Sequence, residues 1–262
     1  LTDSGVLLVS VAVVLIAVIG WVASFAAPPA PPIGPKPKVD WIMPRAMIGI
    51  ILSCRKAPEA MFAMLGLGWF WFAGATFISL IFPIARFSLY ASEDAALVML
   101  TAFSVGVAIG ALIYSAIVKG RVTLMTAPWG ACGMGLGALL FWLAVGAYGG
   151  DIAEDAPLLG VGEFLGRADA WPVLGALVFI AMFAGLYVTP FNVEYQVKAP
   201  EGEKGRFVAC SNVIDALCMV FSAIVVLIVV GVIGVPRELM FALVGLTGFA
   251  AAFVVWRKAR GG

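Results

Sequence analysis

One acid lies deep in an apolar stretch of this chain. Asp215 falls within residues 207–235, which hold no other charged side chain. A carboxylate at such depth costs a few kcal/mol to insert and points to a functional site. Ser211, Asp215, Cys218 and Ser222 recur at i, i+4, i+7 and i+11, with Asn212 beside them. On a helix that spacing gives one polar stripe. Two readings stay open: the stripe lines a water-filled pathway, or it hydrogen-bonds to a neighbouring helix. In the first, Asp215 is the one carboxyl placed to carry a proton inside a span.

A second stripe runs through residues 60–86. Phe72, Thr76, Ser79, Pro83 and Arg86 follow at i, i+4, i+7, i+11 and i+14, and Trp69 extends the stripe inward. Arg86 at the mouth of this face could hold a phosphate as a bidentate donor. It could equally be an interfacial arginine with its stem in lipid.

Other chemistries are excluded or weak. The chain has no histidine, which removes a His–Asp acyltransferase motif, a Ser-His-Asp triad and His-ligated metals or haem. No lysine falls inside an apolar stretch, so a retinal Schiff base has no anchor. Cys54, Cys132, Cys210 and Cys218 form no Cys-x-x-Cys pair and read as small buried residues. Gly106/Gly110 and Gly133/Gly137 are GxxxG pairs suited to close helix packing. No Gly-Lys-Ser/Thr follows them, so they are not a phosphate loop. No cofactor is expected.

The elements that position these residues follow from composition. Of 262 residues, 63% are hydrophobic and 12% charged, and mean hydropathy is +1.09. No soluble fold could cover itself with so little polar surface. The net charge of +1 gives no support to nucleic-acid binding. Seven stretches are long enough to span a bilayer: 5–25, 60–85, 95–118, 122–150, 170–193, 207–235 and 239–256. The expected fold class is all-α, a polytopic membrane helical bundle. Threading the chain through seven spans sorts its bases. Thirteen of 16 Lys and Arg fall on one side, leaving Arg86, Arg167 and Arg237 on the other. The positive-inside rule puts the C-terminus in the cytoplasm.

Three parts are expected: a first span over 1–26, a Pro-rich cytoplasmic linker over 27–59, and a six-helix bundle over 60–262. Within the linker, Asp40 is a candidate N-cap. The segment from Trp41 to Lys56 has Trp41, Met47, Ile48, Ile51 and Leu52 opposite Arg45, Arg55 and Lys56. It reads as a helix lying in the membrane interface, with a plain loop of scattered hydrophobic residues as the alternative. A long linker between helix groups is how two-bundle transporters are joined.

Several segments resemble a known family. Gly66-Leu67-Gly68-Trp69-Phe70-Trp71-Phe72-Ala73-Gly74-Ala75, ending at Pro83 and Arg86, is similar to a helix of lysophospholipid transporters in the major facilitator superfamily. Phe103-Ser104-Val105-Gly106-Val107-Ala108-Ile109-Gly110 looks like the helix that follows it. Gln196-Val197-Lys198-Ala199-Pro200, Gly205-Arg206 and the run from Ala209 to Leu217 resemble that family's cytoplasmic loop and eleventh helix. The resemblance covers nearly the whole chain and makes its spans helices 6 to 12, a major-facilitator-type six-helix half plus one preceding helix. Two departures stand out. The superfamily's Gly-x-x-x-Asp-Arg-x-Gly gating loop survives only as Gly110, Lys119, Gly120 and Arg121, without the aspartate. Asp215 stands where a neutral amide is expected.

The resemblance implies a transporter, not an enzyme, moving lysophospholipids across a bacterial inner membrane by alternating access. Trp69, Thr76, Ser79, Arg86, Ser211, Asn212, Asp215 and Ser222 would line the substrate pathway. Implied partners are membrane lipids, an N-terminal half that precedes this sequence, and a fused or separate acyltransferase. The non-Met start and odd span count are those expected of a fragment. An exporter of drugs or small metabolites is the alternative, and a non-transporting membrane module the plainer one. A membrane-embedded lipid-modifying enzyme has little support, because the acids from Asp151 to Asp155 are spaced like solvated charge.

Overall fold

The structure, a computed structural model, describes residues 3–26, 41–121, 123–149 and 157–261. It is an all-α polytopic bundle, with seven helices long and apolar enough to cross a membrane among the described residues. The chain forms two units, Leu1–Asp40 and Trp41–Gly262. The first holds α1 (Asp3–Ser24), 22 residues with no acid or base after Asp3. At 1.5 Å per residue it is about 33 Å long, enough to cross the hydrocarbon core.

The second unit begins with α2 (Met43–Cys54), the short helix expected in the linker. Its N-cap is Ile42, and the candidate cap Asp40 lies outside the described residues. Trp41, Ile48 and Leu52 are exposed while Cys54 is fully buried. The long helices follow: α3 (Pro58–Phe87), α4 (Glu93–Val118) and α5 (Ala127–Gly146). After the short α6 (Val161–Gly166) come α7 (Ala170–Lys198), α8 (Lys204–Val226) and α9 (Arg237–Gly261). A π-helical turn, Leu227–Val232, extends α8.

Helix ends follow local chemistry. Pro58 opens α3, where the N–H it lacks would have no partner, and Glu59 meets the helix dipole. Ser92 caps α4 by accepting from the Ala95 N–H, with Glu93 and Asp94 in the first turn. Lys119 (φ 48°) and Gly120 (φ 81°) end α4 in left-handed backbone. α5 starts at Ala127 rather than at residue 122, because Pro128 fits only the first turn of a helix.

The packing has a pattern. Call α3, α4 and α5 one triplet and α7, α8 and α9 the other. α4 packs on α7 as α8 packs on α3. α5 touches α7 as α9 touches α3, though the second contact is smaller. α3 meets α7, and α5 meets α9. Each of these contacts maps onto another, or onto itself, when the triplets are exchanged, the α3–α9 contact being much the weaker image of α5–α7. Each triplet has three spans, so the second begins at the opposite end of the bundle and runs inverted. One end of the bundle collects the bases near Lys119, Lys198, Lys204 and Arg257; the other holds Glu93, Glu163, Asp169 and Glu238.

The seams are built from small residues. A Cβ added to Gly106 would lie 2.6 Å from the Ala181 Cβ, and one on Gly110 would lie 1.9 Å from the Met182 carbonyl oxygen. Gly133 and Gly137 of α5 press on Phe183 and Ile180, on the same α7. Where α5 meets α9, Gly135 abuts Gly245 and Gly248. In lipid, helices gain no hydrophobic drive to associate, so such close contact supplies dispersion instead. The buried ring of Phe241 sits 4.5 Å from Phe77 and 4.3 Å from Phe141, joining α3, α5 and α9.

The acidic end is tied by loops. Leu159 donates to the Tyr90 carbonyl at 2.7 Å, and the Ser92 N–H donates to Leu159 at 2.9 Å. Ser88 donates to Glu238. α6 plugs this end with the fully buried Phe164. Arg167 holds both Asp169 oxygens, at 2.9 and 2.7 Å, and so keeps this carboxyl below the usual carboxylate range. The Asp169 contribution is present above the unfolded carboxylate value, near 3.8, and is lost as pH falls through the lowered folded value. Asp169→Asn is therefore expected to lower the melting temperature slightly at pH 7, since the pair is half-buried and solvent still screens it. The difference should shrink in melts taken at successively lower pH below 3.8 and close once the pH is under the lowered folded value; a gap that persists there would assign the effect to the backbone bond Gly149 N–H to Asp169 instead.

Candidate functional site

The two polar stripes meet at one point. α3 and α8 both start at the basic end and lie side by side, so residues 18 positions from each start stand level. These are Thr76 and Ser222. Their hydroxyls are 2.7 Å apart, both buried, and Thr76 also donates to the Phe72 carbonyl at 3.0 Å. Phe72 and Phe221 pack beside them at 5.7 Å. About two turns inward, Gly68 of α3 leaves room for Cys218 and Ile214 of α8. At Thr76 and Ser222 the stripes are thus helix–helix hydrogen bonding. Thr76→Val leaves the Ser222 hydroxyl without its partner and is expected to cost about 1 kcal/mol. A double-mutant cycle with Ser222→Ala in thermal melts checks the coupling; strictly additive losses would show that the bond contributes nothing.

Asp215 lies at this same depth, two turns from Ser222 toward the basic end and level with Trp69. Ser211 donates to its Oδ2 at 3.4 Å, and Trp71 is close enough to interact with the carboxyl group. Oδ1 is buried and has no hydrogen-bond partner among the described residues. No Lys or Arg pairs with Asp215 among the described residues. The arrangement is an acceptor left open for a ligand, a water or the group's own proton. Ser211 is buried on the same face. Asn212, next in sequence, is turned about 100° around the helix and is exposed.

The other stripe residues serve different places. The Trp69 indole N–H donates to Thr247 of α9 at 3.0 Å, and its ring meets Tyr187 of α7 edge-on at 5.0 Å. Trp69 thereby joins three helices. Ser79 is exposed and returns its hydroxyl to the Thr76 carbonyl at 2.9 Å. Arg86 is exposed at the acidic end, in a cleft of about 210 Å³ with Phe82, Pro83, Phe87, Ser92 and Glu93. Ten residues separate Arg86 from Thr76, and seven separate Asp215 from Ser222. The two charges therefore stand about 25 Å apart along the bundle. One headgroup cannot touch both.

The gating-loop residues also separate. Gly110 is a packing glycine inside the α4–α7 seam, while Lys119, Gly120 and Arg121 form the exposed turn that ends α4. Tyr187 is a polar residue that the stripes did not reveal. It is buried, and its hydroxyl donates to the Gly66 carbonyl at 3.1 Å. Its signal in sequence is only a tyrosine amid apolar neighbours. The cysteines are free; Cys54 of α2 and Cys210 of α8 are both buried and interact. No group of His, Cys, Asp and Glu suited to a metal occurs among the described residues. No protein-family model, curated protein or solved structure matches the chain.

Proposed function

We propose that this chain is one bundle of a secondary transporter that moves lysophospholipids across a bacterial inner membrane by alternating access, its C-terminus cytoplasmic. The observation that carries the reading is the exchange pattern of the two inverted triplets. Inverted repeats of three helices within a six-helix bundle are the architecture on which such transporters rock. The family-like segments around Trp69, Gly106 and Asn212 add the lysolipid substrate. On this reading Arg86 takes the lipid phosphate at the outer mouth, and Asp215 and Asn212 act about 25 Å deeper. Thr76 and Ser222 hold the wall between them. Lys119, Gly120 and Arg121 form the cytoplasmic turn that changes partners as the bundle rocks. A second bundle completes the pathway.

Uptake of labelled lysophosphatidylethanolamine by spheroplasts expressing the chain together with its second bundle tests this. Arg86→Ala should weaken uptake chiefly by raising the half-saturating concentration. Asp215→Asn should lower the maximal rate, because the amide keeps the shape but not the charge or the proton. Unchanged uptake in both variants would sink the assignment. A small-metabolite exporter is the second reading, favoured by the size of the Arg86 cleft and by Glu93 within it. Such a protein would transport without competition from lysolipids.

A further inference from the structure

At the basic end a groove of about 660 Å³ opens between α5 and α9, below the Gly135–Gly245 crossing. Its walls include Met125, Trp129, Phe249, Phe253 and Trp256, and Arg260 closes its end. The Arg260 guanidinium lies 4.2 Å from the Trp256 ring centroid. Met125 and Ala259 also border a second, polar cleft of about 240 Å³, so the two spaces adjoin. That cleft holds Glu59, Glu194, Lys198 and Lys258. Lys198 takes Glu59 at 2.7 Å. Glu194 and Lys258 form no ion pair among the described residues.

Apolar walls, then tryptophans, then charge is the polarity profile of a lipid at the membrane interface. The charges discriminate among headgroups. Lys258 and Arg260 suit one phosphate. Glu194 suits one ammonium that can donate hydrogen bonds. We propose that the groove and cleft together hold one glycerophospholipid with a phosphate and a primary amine in its headgroup. Its acyl chain lies along Phe249 and Phe253. Its phosphate lies between Lys258 and Arg260, and its ammonium on Glu194. A purely anionic headgroup would bring a further negative charge beside Glu194 and Glu59 with no ammonium to offset it, and a quaternary amine has no N–H to donate to Glu194. This site is at the opposite end of the bundle from Arg86 and does not depend on transport.

Native mass spectrometry of the delipidated full chain, titrated with defined lipids, tests the proposal. Phosphatidylethanolamine should bind about fivefold more tightly than phosphatidylglycerol or phosphatidylcholine, the value of one added charge contact near the interface. Lys258→Ala with Arg260→Ala should weaken it at least as much. Glu194→Gln should erase its advantage over phosphatidylcholine. These side chains lie at the bundle end, and unchanged melting temperatures verify that the variants fold. Phosphatidylethanolamine with brominated chains should quench tryptophan fluorescence, and the quenching should shrink in Trp129→Phe/Trp256→Phe. Equal affinity for the three lipids, a preference for phosphatidylglycerol, or a preference that survives Glu194→Gln overturns the headgroup assignment. Quenching undiminished in the double tryptophan variant overturns the location.

Discussion

Gly110→Leu is expected to lower the melting temperature of the purified chain by about 10 °C or to prevent its folding. Even a bare Cβ there would sit 1.9 Å from the Met182 carbonyl oxygen. The obstacle is backbone, so no rotamer change relieves it. The opposite wall is equally tight: a Cβ on Gly185 would lie 2.3 Å from the Val107 oxygen and 2.7 Å from the Ala111 nitrogen. Leucine must therefore push α4 and α7 apart along the seam. Overpacking of a core costs about 1–3 kcal/mol where side chains yield, and more where they cannot. At about 2–4 °C per kcal/mol for a chain of this size, a cost near 3 kcal/mol gives the stated shift. Gly74→Ala and Gly175→Ala are the controls. A Cβ at either meets nothing within 4 Å, and alanine is the better helix former. Their melting points should stay level or rise. A thiol-reactive dye reads all four proteins, since Cys54 and Cys210 are buried until the bundle opens. A Gly110→Leu protein as stable as the parent would remove this seam from the account of stability.

Phe241→Ala is the second large effect, by the opposite route. The side chain is fully buried between Phe77 and Phe141. Removing it leaves a cavity that lipid cannot enter, with a cost of about 3–5 kcal/mol. The site matters because α3 and α9 share little other contact, so the ring is a principal bridge between them. Phe241→Leu restores most of the volume without the ring contacts and should lose less than half as much. The order alanine, leucine, phenylalanine in thermal melts is the expected result. Equal losses for alanine and leucine would mean that ring stacking, not volume, sets the cost.

These two cases show what local sequence holds. Gly106 and Gly110 announce close packing by their spacing alone. Gly185, which supplies the other wall, is announced only by the weaker small-residue pair Ala181/Gly185 on α7. The spans were legible because hydropathy over about 20 residues needs no knowledge of neighbours. So was the sorting of bases, which depends only on the number of crossings. The α2 helix was legible from its apolar spacing. α6 was not, because six residues rich in glycine carry no period and its core residue is the single Phe164. The stripes gave faces but not partners. Asp215 and Ser211 share a face as their spacing requires. That the Thr76 hydroxyl would meet Ser222 depends on α3 and α8 lying parallel and level, a tertiary fact. Trp69 looked like a pathway residue because a tryptophan on a polar face has an N–H to place; its acceptor, Thr247, lies 178 positions away.

The exchange of partners between triplets also dictates an order of assembly. Helices enter a membrane as they are synthesised. When α3, α4 and α5 are in place, only α3 and α4 have a sizeable contact to make. The glycine faces of α4 and α5 both await α7, and the Phe77 and Phe141 rings await Phe241 on the last helix. Half of the bundle must therefore be held in lipid, unpacked, until the fourth of its six long helices emerges. During that interval Gly106, Gly110, Gly133 and Gly137 are bare to the bilayer. Synthesis halted before Ala170 would leave a chain whose spans are all inserted and whose core does not exist, the state that membrane quality control is built to find.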